Sequence, residues 1–227
     1  MTASGDPEVT ASGDREVTAS GGSAQTSRRV VLATRNDHKV VELRRILGAA
    51  GLGDLRLVGL DAYPDVPEVA ETGATFEANA LLKAHAVAAA TGELAVADDS
   101  GLAVDALNGM PGVLSARWAG GLGDEANLRL VLAQVGDVPD DRLGASFECA
   151  AAAVFPDGSE LVVRGRLLGR LTRHPRGTNG FGYDPIFVPE GGDRTTAELD
   201  AAEKDAISHR GVAFRALADE LRRVWSS

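Results

Sequence analysis

A single cysteine, Cys149, in 227 residues excludes an internal disulfide, and the apolar run around it, residues 147–155, points to a buried, inert thiol. No apolar run approaches the ~18 residues that a membrane helix needs. The first residues lack a charged start followed by an apolar stretch, so no secretory signal is read. Together these absences favour the cytoplasm. Basic charge is scarce as well: 23 Lys and Arg stand against 33 Asp and Glu, a formal net charge of −10. Nucleic-acid backbones demand a basic footprint, so a general nucleic-acid binder is excluded. The phosphate-loop pattern GxxxxGK[ST] is missing, and no His spacing of zinc-site type accompanies the lone cysteine. What is present is ordinary for a globular domain, with 44% hydrophobic and 25% charged residues. The length fits one sizeable domain or two small lobes.

Residues 1–27 form an imperfect octapeptide repeat, TASGDPEV then TASGDREV and a decaying third copy. One Val per unit buries too little apolar surface to offset chain entropy, so a disordered tail is expected, followed by a folded domain over residues 28–227. A short apolar strand is expected at residues 30–33 and a polar loop at 34–39. A helix then follows from Val40, Leu43 and Leu47 at helical spacing. A second helix over residues 75–90 carries Phe76, Asn79 and Lys83 on one face and stops at Thr91-Gly92. A buried strand at 94–97 is expected to end at Asp98-Asp99-Ser100-Gly101. Residues 147–155 and 161–164 read as a hairpin closed by Pro156-Asp157-Gly158-Ser159. A helix is expected from Thr195, where Thr195 and Glu198 fit a capping box. A last helix would bury Phe214, Leu217, Leu221 and Val224. A hairpin beside strand–helix units means an α/β fold with a mixed sheet flanked by helices.

Four segments carry candidate chemistry. The loop Thr34-Arg35-Asn36-Asp37-His38-Lys39 offers free N–H groups and a helix N-terminus to an anion; it also reads as a simple polar turn. Asp98 and Asp99, after a buried strand, call for a cationic partner such as Mg²⁺, whose hard charge suits carboxylates together with phosphates; an Asx turn is the alternative. The run Gly177 to Pro185 flanks Phe181 with glycines, allowing a base to stack there, or is a turn leading into a strand at 186–188. Lys204, His209 and Arg210 are donors for carbonyl or phosphate oxygens, or a solvated basic helix end. Glu71 is a more distant metal-ligand candidate. His85 reads as structural, and His174 as a lone loop histidine.

In combination, LATRNDHKVVEL, ETGATFEANALLKA, ADDSGLAVDALNGMPGVLSARWAG, TNGFGYDPIFVP and EKDAISHRG resemble, in order, the inosine/xanthosine triphosphate pyrophosphatases over nearly all of residues 29–225. The resemblance implies an elongated fold of two lobes with a nucleotide in the cleft between them, and a homodimer. It implies hydrolysis of purine nucleoside triphosphates (ITP, dITP, XTP) to monophosphate and pyrophosphate. Thr34, Asn36, Lys39 and Lys83 would hold the triphosphate. Glu71 and Asp99 would hold Mg²⁺ with Asp98 close by, and Asp99 would be the base activating water. Ser100 would touch the substrate, Phe181, Gly182, Tyr183 and Asp184 would frame base and sugar, and Lys204, His209 and Arg210 would read the purine. Arg35 departs from the family's usual glycine and either points to solvent or adds a phosphate contact; Asp37 and His38 precede the lysine, where the family often has two small or polar residues. A pyrophosphatase for modified pyrimidines or standard nucleotides, or a non-catalytic nucleotide sensor, are the alternatives.

Overall fold

A computed structural model describes residues 28–52 and 55–226; the expectation of a disordered tail over residues 1–27 lies outside the described residues. The elements run β1 (Arg29–Leu32), α1 (Asp37–Leu47), β2 (Arg56–Gly59), α2 (Phe76–Thr91), β3 (Leu94–Val104), α3 (Asp124–Gln134), β4 (Gly144–Val154), β5 (Glu160–Leu171), β6 (Phe187–Pro189), α4 (Ala201–Ile207) and α5 (His209–Ser226). The six strands form one sheet in the order β2-β1-β3-β4-β5-β6. β1 is parallel to β2 and β3, and the remaining pairings are antiparallel, so the expected α/β class with a mixed sheet is observed. No described helix is long and apolar enough to cross a membrane.

Strand alternation sorts the core into two faces. Val30, Leu32, Val96, Cys149, Ala151 and Ala153 pack with Leu43, Leu47, Phe214, Leu217 and Leu221 from α1 and α5. Val31, Ala95, Ala97, Ala150 and Ala152 pack with Ala80, Ala84 and Val87 of α2 on the other side. The alanine run 150–153 is fully buried; small side chains on both faces let helices approach from both sides. A third cluster joins Leu102, Val104, Phe147, Ile186 and Phe187 to Leu128 and Val131 of α3.

Four sequence expectations change here. β3 does not stop at residue 97. Its pairing with β1 runs from Val30↔Leu94 to Leu32↔Val96, but it continues to Val104 against β4. The acidic pair therefore sits inside a strand, where β3 outruns β1 and one of its edges has no strand neighbour. α1 begins at Asp37, with Asn36 as N-cap accepting from the Lys39 N–H at 3.1 Å, so Lys39 belongs to the first helical turn and not to the loop. The Thr195 capping box exists, but it closes only the turn Thr196–Glu198; the helix that follows is capped by Asp200 and Glu203. Val224 is exposed, and Trp225 packs against the core in its stead.

Candidate active site

Asp98 and Asp99 are consecutive on β3, so their side chains leave opposite faces of the sheet. Asp99 points to the α2 side. Its Oδ2 accepts from Asn79 Nδ2 at 2.9 Å, and its Oδ1 lies 3.7 Å from Lys83 Nζ. Asn79, buried in the first turns of α2, also takes the Gly73 N–H on its Oδ1 at 2.7 Å, which ties the loop carrying Glu71 to the same helix. Lys83 Nζ donates to Glu71 Oε1 at 2.5 Å. One ammonium thus lies between two carboxylates. Burial pushes the Asp99 carboxyl above its ordinary value, and Glu71 adds to the rise against the pull of Lys83 and Asn79. For Glu71 burial acts in the same direction, but Lys83 and Arg117 outweigh it and hold the carboxyl low. Burial opposes the charge on Lys83, yet Asp98, Asp99 and Glu71 keep it firmly protonated.

Asp98 points to the α1/α5 side and is 3% exposed. Its Oδ2 accepts from Lys39 Nζ at 3.0 Å, Arg210 Nε at 3.2 Å and Ser100 Oγ at 3.2 Å. Against the cost of burial, the two cations hold its carboxyl far below the usual carboxylate range. The two carboxylates leave opposite faces of β3, and Asp98 is committed to Lys39 and Arg210, while both act on the Lys83 ammonium. Arg210 itself is 3% exposed and gives Nη1 to Glu42 Oε2 at 2.8 Å and Nη2 to Ser100 Oγ at 2.7 Å. Three of its five N–H donors are engaged before any ligand arrives.

Phe181 stands at the other wall. His38 stacks on it at 6.0 Å between centroids, Lys204 Nζ lies 5.3 Å from its ring, and the Arg210 guanidinium carbon lies 5.2 Å away. The turn before it needs glycine: Gly180 has φ +76, and a Cβ there would collide with the Asp184 carboxylate. Asp184, 3% exposed, accepts from the Phe181 N–H at 2.8 Å, Thr196 Oγ1 at 2.7 Å and Lys204 Nζ at 2.5 Å. Its carboxylate is a fixing point for the loop and the lysine. Tyr183 donates its hydroxyl to the Ser115 carbonyl at 2.8 Å, and burial together with Asp124 raises its pKa, so its polar end is already used. Gly182 N–H donates to Asp124 Oδ2 at 2.8 Å. His209 stacks on Phe147 at 4.8 Å; burial, with Arg210 and Lys204 nearby, lowers its pKa well below the ordinary value. Its buried Nδ1 has no hydrogen-bond partner among the described residues.

A pocket of about 230 Å³ gathers Asn36, His38, Lys39, Glu71, Asp99, Ser100, Phe181, Gly182, Tyr183, Asp184, Lys204, His209 and Arg210. A neighbouring cavity of about 770 Å³ shares Asn36, Lys39 and Glu71 and adds Thr34, Arg35 and Lys83. Asp98 lines neither; it braces the first pocket from below through Arg210 and Ser100. Asp37 is the first residue of α1. Arg35 donates Nη2 to the Val66 carbonyl at 2.5 Å and Thr34 Oγ1 accepts from the Asn36 N–H at 3.1 Å. The donors Lys204, His209 and Arg210 are buried and do not form a solvated helix end. His85 is exposed and meets Glu160 at 2.6 Å on the surface.

Gly101 admits the loop after β3: a Cβ there would strike Ser115 Oγ and the Gly112 carbonyl. That close approach brings Arg117 to Glu71. Glu42, Asn79, Arg117 and Asp124 escaped the sequence reading. Only Asn79 left a signal, by sharing a helix face with Lys83. The others act across 46 to 168 residues of chain, a separation no local pattern reveals.

Among the described residues no three His, Cys, Asp or Glu side chains assemble a metal cage. Asp99 and Glu71 nonetheless offer hard oxygen donors on either side of a bound cationic group. Two carboxylates completed by substrate phosphates and water suit Mg²⁺, which rarely uses an all-protein cage.

The family model described as Ham1 family matches residues 30–220. A dITP/XTP pyrophosphatase of Streptomyces coelicolor is 62% identical over 197 residues, covering 86% of this chain and 98% of the relative. One from Nocardia farcinica is 60% identical, covering 86% and 96%. Among solved structures, a HAM1 protein from Coxiella burnetii superposes with a TM-score of 0.78 at 40% identity, covering 86% of this chain and 99% of its own. A nucleoside-triphosphatase / dITP/XTP pyrophosphatase from Mycobacterium abscessus gives 0.67 at 56% identity, covering 85% and 98%.

Proposed function

Because the chain belongs to the Ham1 family, we propose that it hydrolyses non-standard purine nucleoside triphosphates (ITP, dITP and XTP) to the monophosphate and pyrophosphate. The observation that carries this reading is the sharing of Asn36, Lys39 and Glu71 by two neighbouring cavities, one walled by Phe181, Arg210 and Asp99 and the other by Thr34, Arg35 and Lys83. A base, a reacting phosphate and a phosphate tail fit that succession.

In this reading the nucleotide lies between two lobes. Its base rests on Phe181, with donors from Lys204, His209 and the two N–H groups that Arg210 retains. Thr34, Asn36, Lys39, Lys83 and the N-terminus of α1 hold the phosphates, where the free N–H groups and helix dipole favour an anion. Asp99, its carboxyl raised by burial, takes a proton from water. The water oxygen attacks the α-phosphorus, and the α–β bridging oxygen leaves on pyrophosphate. Lys39 and Lys83 stabilise charge that grows on the phosphates along the way. Mg²⁺, which Glu71 and Asp99 would hold, neutralises phosphate oxygens when bound. Asp98 aims Lys39 and Arg210. A homodimer and a cytoplasmic setting belong to the same proposal.

Hypoxanthine and xanthine present an acceptor oxygen at C6, whereas adenine presents an amino donor. Buried donors facing adenine would stay unpaired, which rejects it by ~10⁴ or more in sites of this kind. The test is pyrophosphate release with Mg²⁺ from ITP, XTP, GTP, ATP and a modified pyrimidine triphosphate. Turnover of ITP and XTP far above ATP is expected; equal turnover of ATP and ITP refutes the base-reading assignment, and no turnover of any purine refutes the function.

A further inference from the structure

The two carboxylates that would hold Mg²⁺ already have donors on all four of their oxygens. Asp99 Oδ1 accepts from the Ser100 N–H at 3.0 Å and Oδ2 from Asn79 Nδ2 at 2.9 Å. Glu71 Oε1 accepts from Lys83 Nζ at 2.5 Å and Oε2 from Arg117 Nη1 at 3.2 Å. Lys83 Nζ also lies 3.7 Å from Asp99 Oδ1. Its ammonium therefore stands between the two acids, within reach of an oxygen on each.

The charges around that point cancel. Asp99 and Glu71 bring two negative charges, Lys83 and Arg117 two positive ones, and Lys39 is paired with Asp98 at 3.0 Å. A neutral group of this kind exerts no net pull on a divalent ion, and Mg²⁺ gives up its water reluctantly. The Lys83 side chain is only 13% exposed, so solvent screens its repulsion of a second cation weakly.

The donors differ in how readily they can leave. Asn79 is buried and tied to the Gly73 N–H as well, and the Ser100 N–H belongs to the backbone of β3. Each uses one lone pair of an oxygen that has another to offer a metal. Lys83, midway along α2, reaches the acids on a flexible four-carbon stem and can swing away.

We propose that Lys83 is a place-holder: in the nucleotide-free enzyme its ammonium occupies the position between Asp99 and Glu71 and weakens divalent-ion binding there, and the substrate's phosphates draw it aside so that the metal binds together with the nucleotide. This rests on the reading of the site as a Mg²⁺-dependent pyrophosphatase. Linkage makes the dependence mutual, because whatever the nucleotide adds to metal affinity the metal adds to nucleotide affinity. A lysine that only contacted phosphate would leave the metal affinity of the empty enzyme unchanged when removed. A place-holder predicts that its removal raises that affinity.

The test is titration of the nucleotide-free full chain with Mn²⁺, followed by loss of the free-ion electron paramagnetic resonance signal. Lys83→Met, which keeps most of the stem and removes the charge, should bind Mn²⁺ at least ~10-fold more tightly than the wild type, as expected for deleting a like charge at contact range. Adding Glu71→Gln to Lys83→Met should abolish the gain. The wild type should itself bind Mn²⁺ more tightly once α,β-imido-ITP is present, beyond what the analogue holds in buffer. Unchanged or weaker Mn²⁺ binding in Lys83→Met, or a gain that survives Glu71→Gln, overturns the proposal. If Lys83→Met does not fold, the wild type decides: Mn²⁺ bound as tightly without the analogue as with it overturns the proposal equally. Pyrophosphate release from ITP is assayed alongside. None from the wild type defeats the pyrophosphatase reading, while the nucleotide-free titration still decides whether Lys83 holds the metal's place.

Discussion

Asp98→Ala takes an anion from among buried cations, and its consequences can be worked from the contacts. Asp98 Oδ2 accepts from Lys39 at 3.0 Å, Arg210 at 3.2 Å and Ser100 at 3.2 Å. Without it, Arg210 keeps one carboxylate partner, Glu42 at 2.8 Å, and Lys39 loses the ion pair that orients it. Removing one member of a buried ionic group costs about 3–5 kcal/mol, because the remaining charge is stranded in a poor solvent. That is a large part of the ~5–15 kcal/mol that holds a domain folded. For a domain of this size each kcal/mol moves Tm by about 2–4 °C, so a fall of roughly 6–20 °C is expected. Asp98→Asn, which preserves shape and an acceptor oxygen, should lose less. The sign of the pH dependence follows from the depressed carboxyl of the folded state. Its stabilisation is complete above the unfolded value near ~3.9 and drains away as pH falls below it, so the variants should show a shallower acid limb than the wild type. Urea unfolding at pH 7 reads the effect as a drop in midpoint at constant slope. A double-mutant cycle with Arg210→Met isolates the pair. A loss of under ~1 kcal/mol in Asp98→Ala, the size of an exposed ion pair, would show that the carboxylate does not carry the compensation assigned to it.

Three further outcomes are expected. Asp99→Asn should lower kcat on ITP by about 10²–10⁴, the range for losing a general base, and chelation of divalent ions should abolish wild-type turnover; a near-normal rate in either assay removes Asp99 from its role. Burial keeps the folded-state pKa of His209 low, so below about pH 6.5 the unfolded chain takes up a proton that the folded chain refuses. Stability should therefore fall with acidity by up to ~1.4 kcal/mol per pH unit, and His209→Phe should flatten that slope between pH 5 and 6.5; parallel slopes would place the titration elsewhere. Deleting residues 1–27, which precede the family match at residues 30–220, should leave kcat/KM and Tm unaltered, and a marked change in either would give the repeat a docking role.

Local signals served the fold well where they were strong. Asn36, Thr75 and Gly92 cap the helices they were read beside, and the turn at residues 156–159 closes the hairpin of β4 and β5. Where neighbours decide, the sequence was mute. Nothing in LAVADDSGLAV says that β3 survives two acids, because what sustains it is β4 alongside and Lys39, Lys83, Asn79 and Arg210 from elsewhere in the chain. The capping box at Thr195 was legible, yet only three residues of turn follow it, since propensity at a cap does not fix length. Of the site, the residue types were readable and their partnerships were not. Arg210 looked like a donor awaiting a ligand but spends three N–H groups on Asp98, Glu42 and Ser100. Asp184, expected to frame base and sugar with Phe181, holds Lys204 and the Phe181 N–H, partners that no local pattern announced.

The opposite facing of Asp98 and Asp99 makes β3 intolerant of any change in its reading frame. A strand has a period of two, so inserting or deleting one residue between Leu94 and Asp98 would deliver each acid to the other's side. Asp99 would then meet Lys39 and Arg210, and Asp98 would meet Lys83. Such a change leaves both acids in the sequence as neighbours, yet it would dismantle both halves of the site at once. Length variation among related chains should accordingly collect in connections such as residues 156–159, and stay out of the eleven residues of β3.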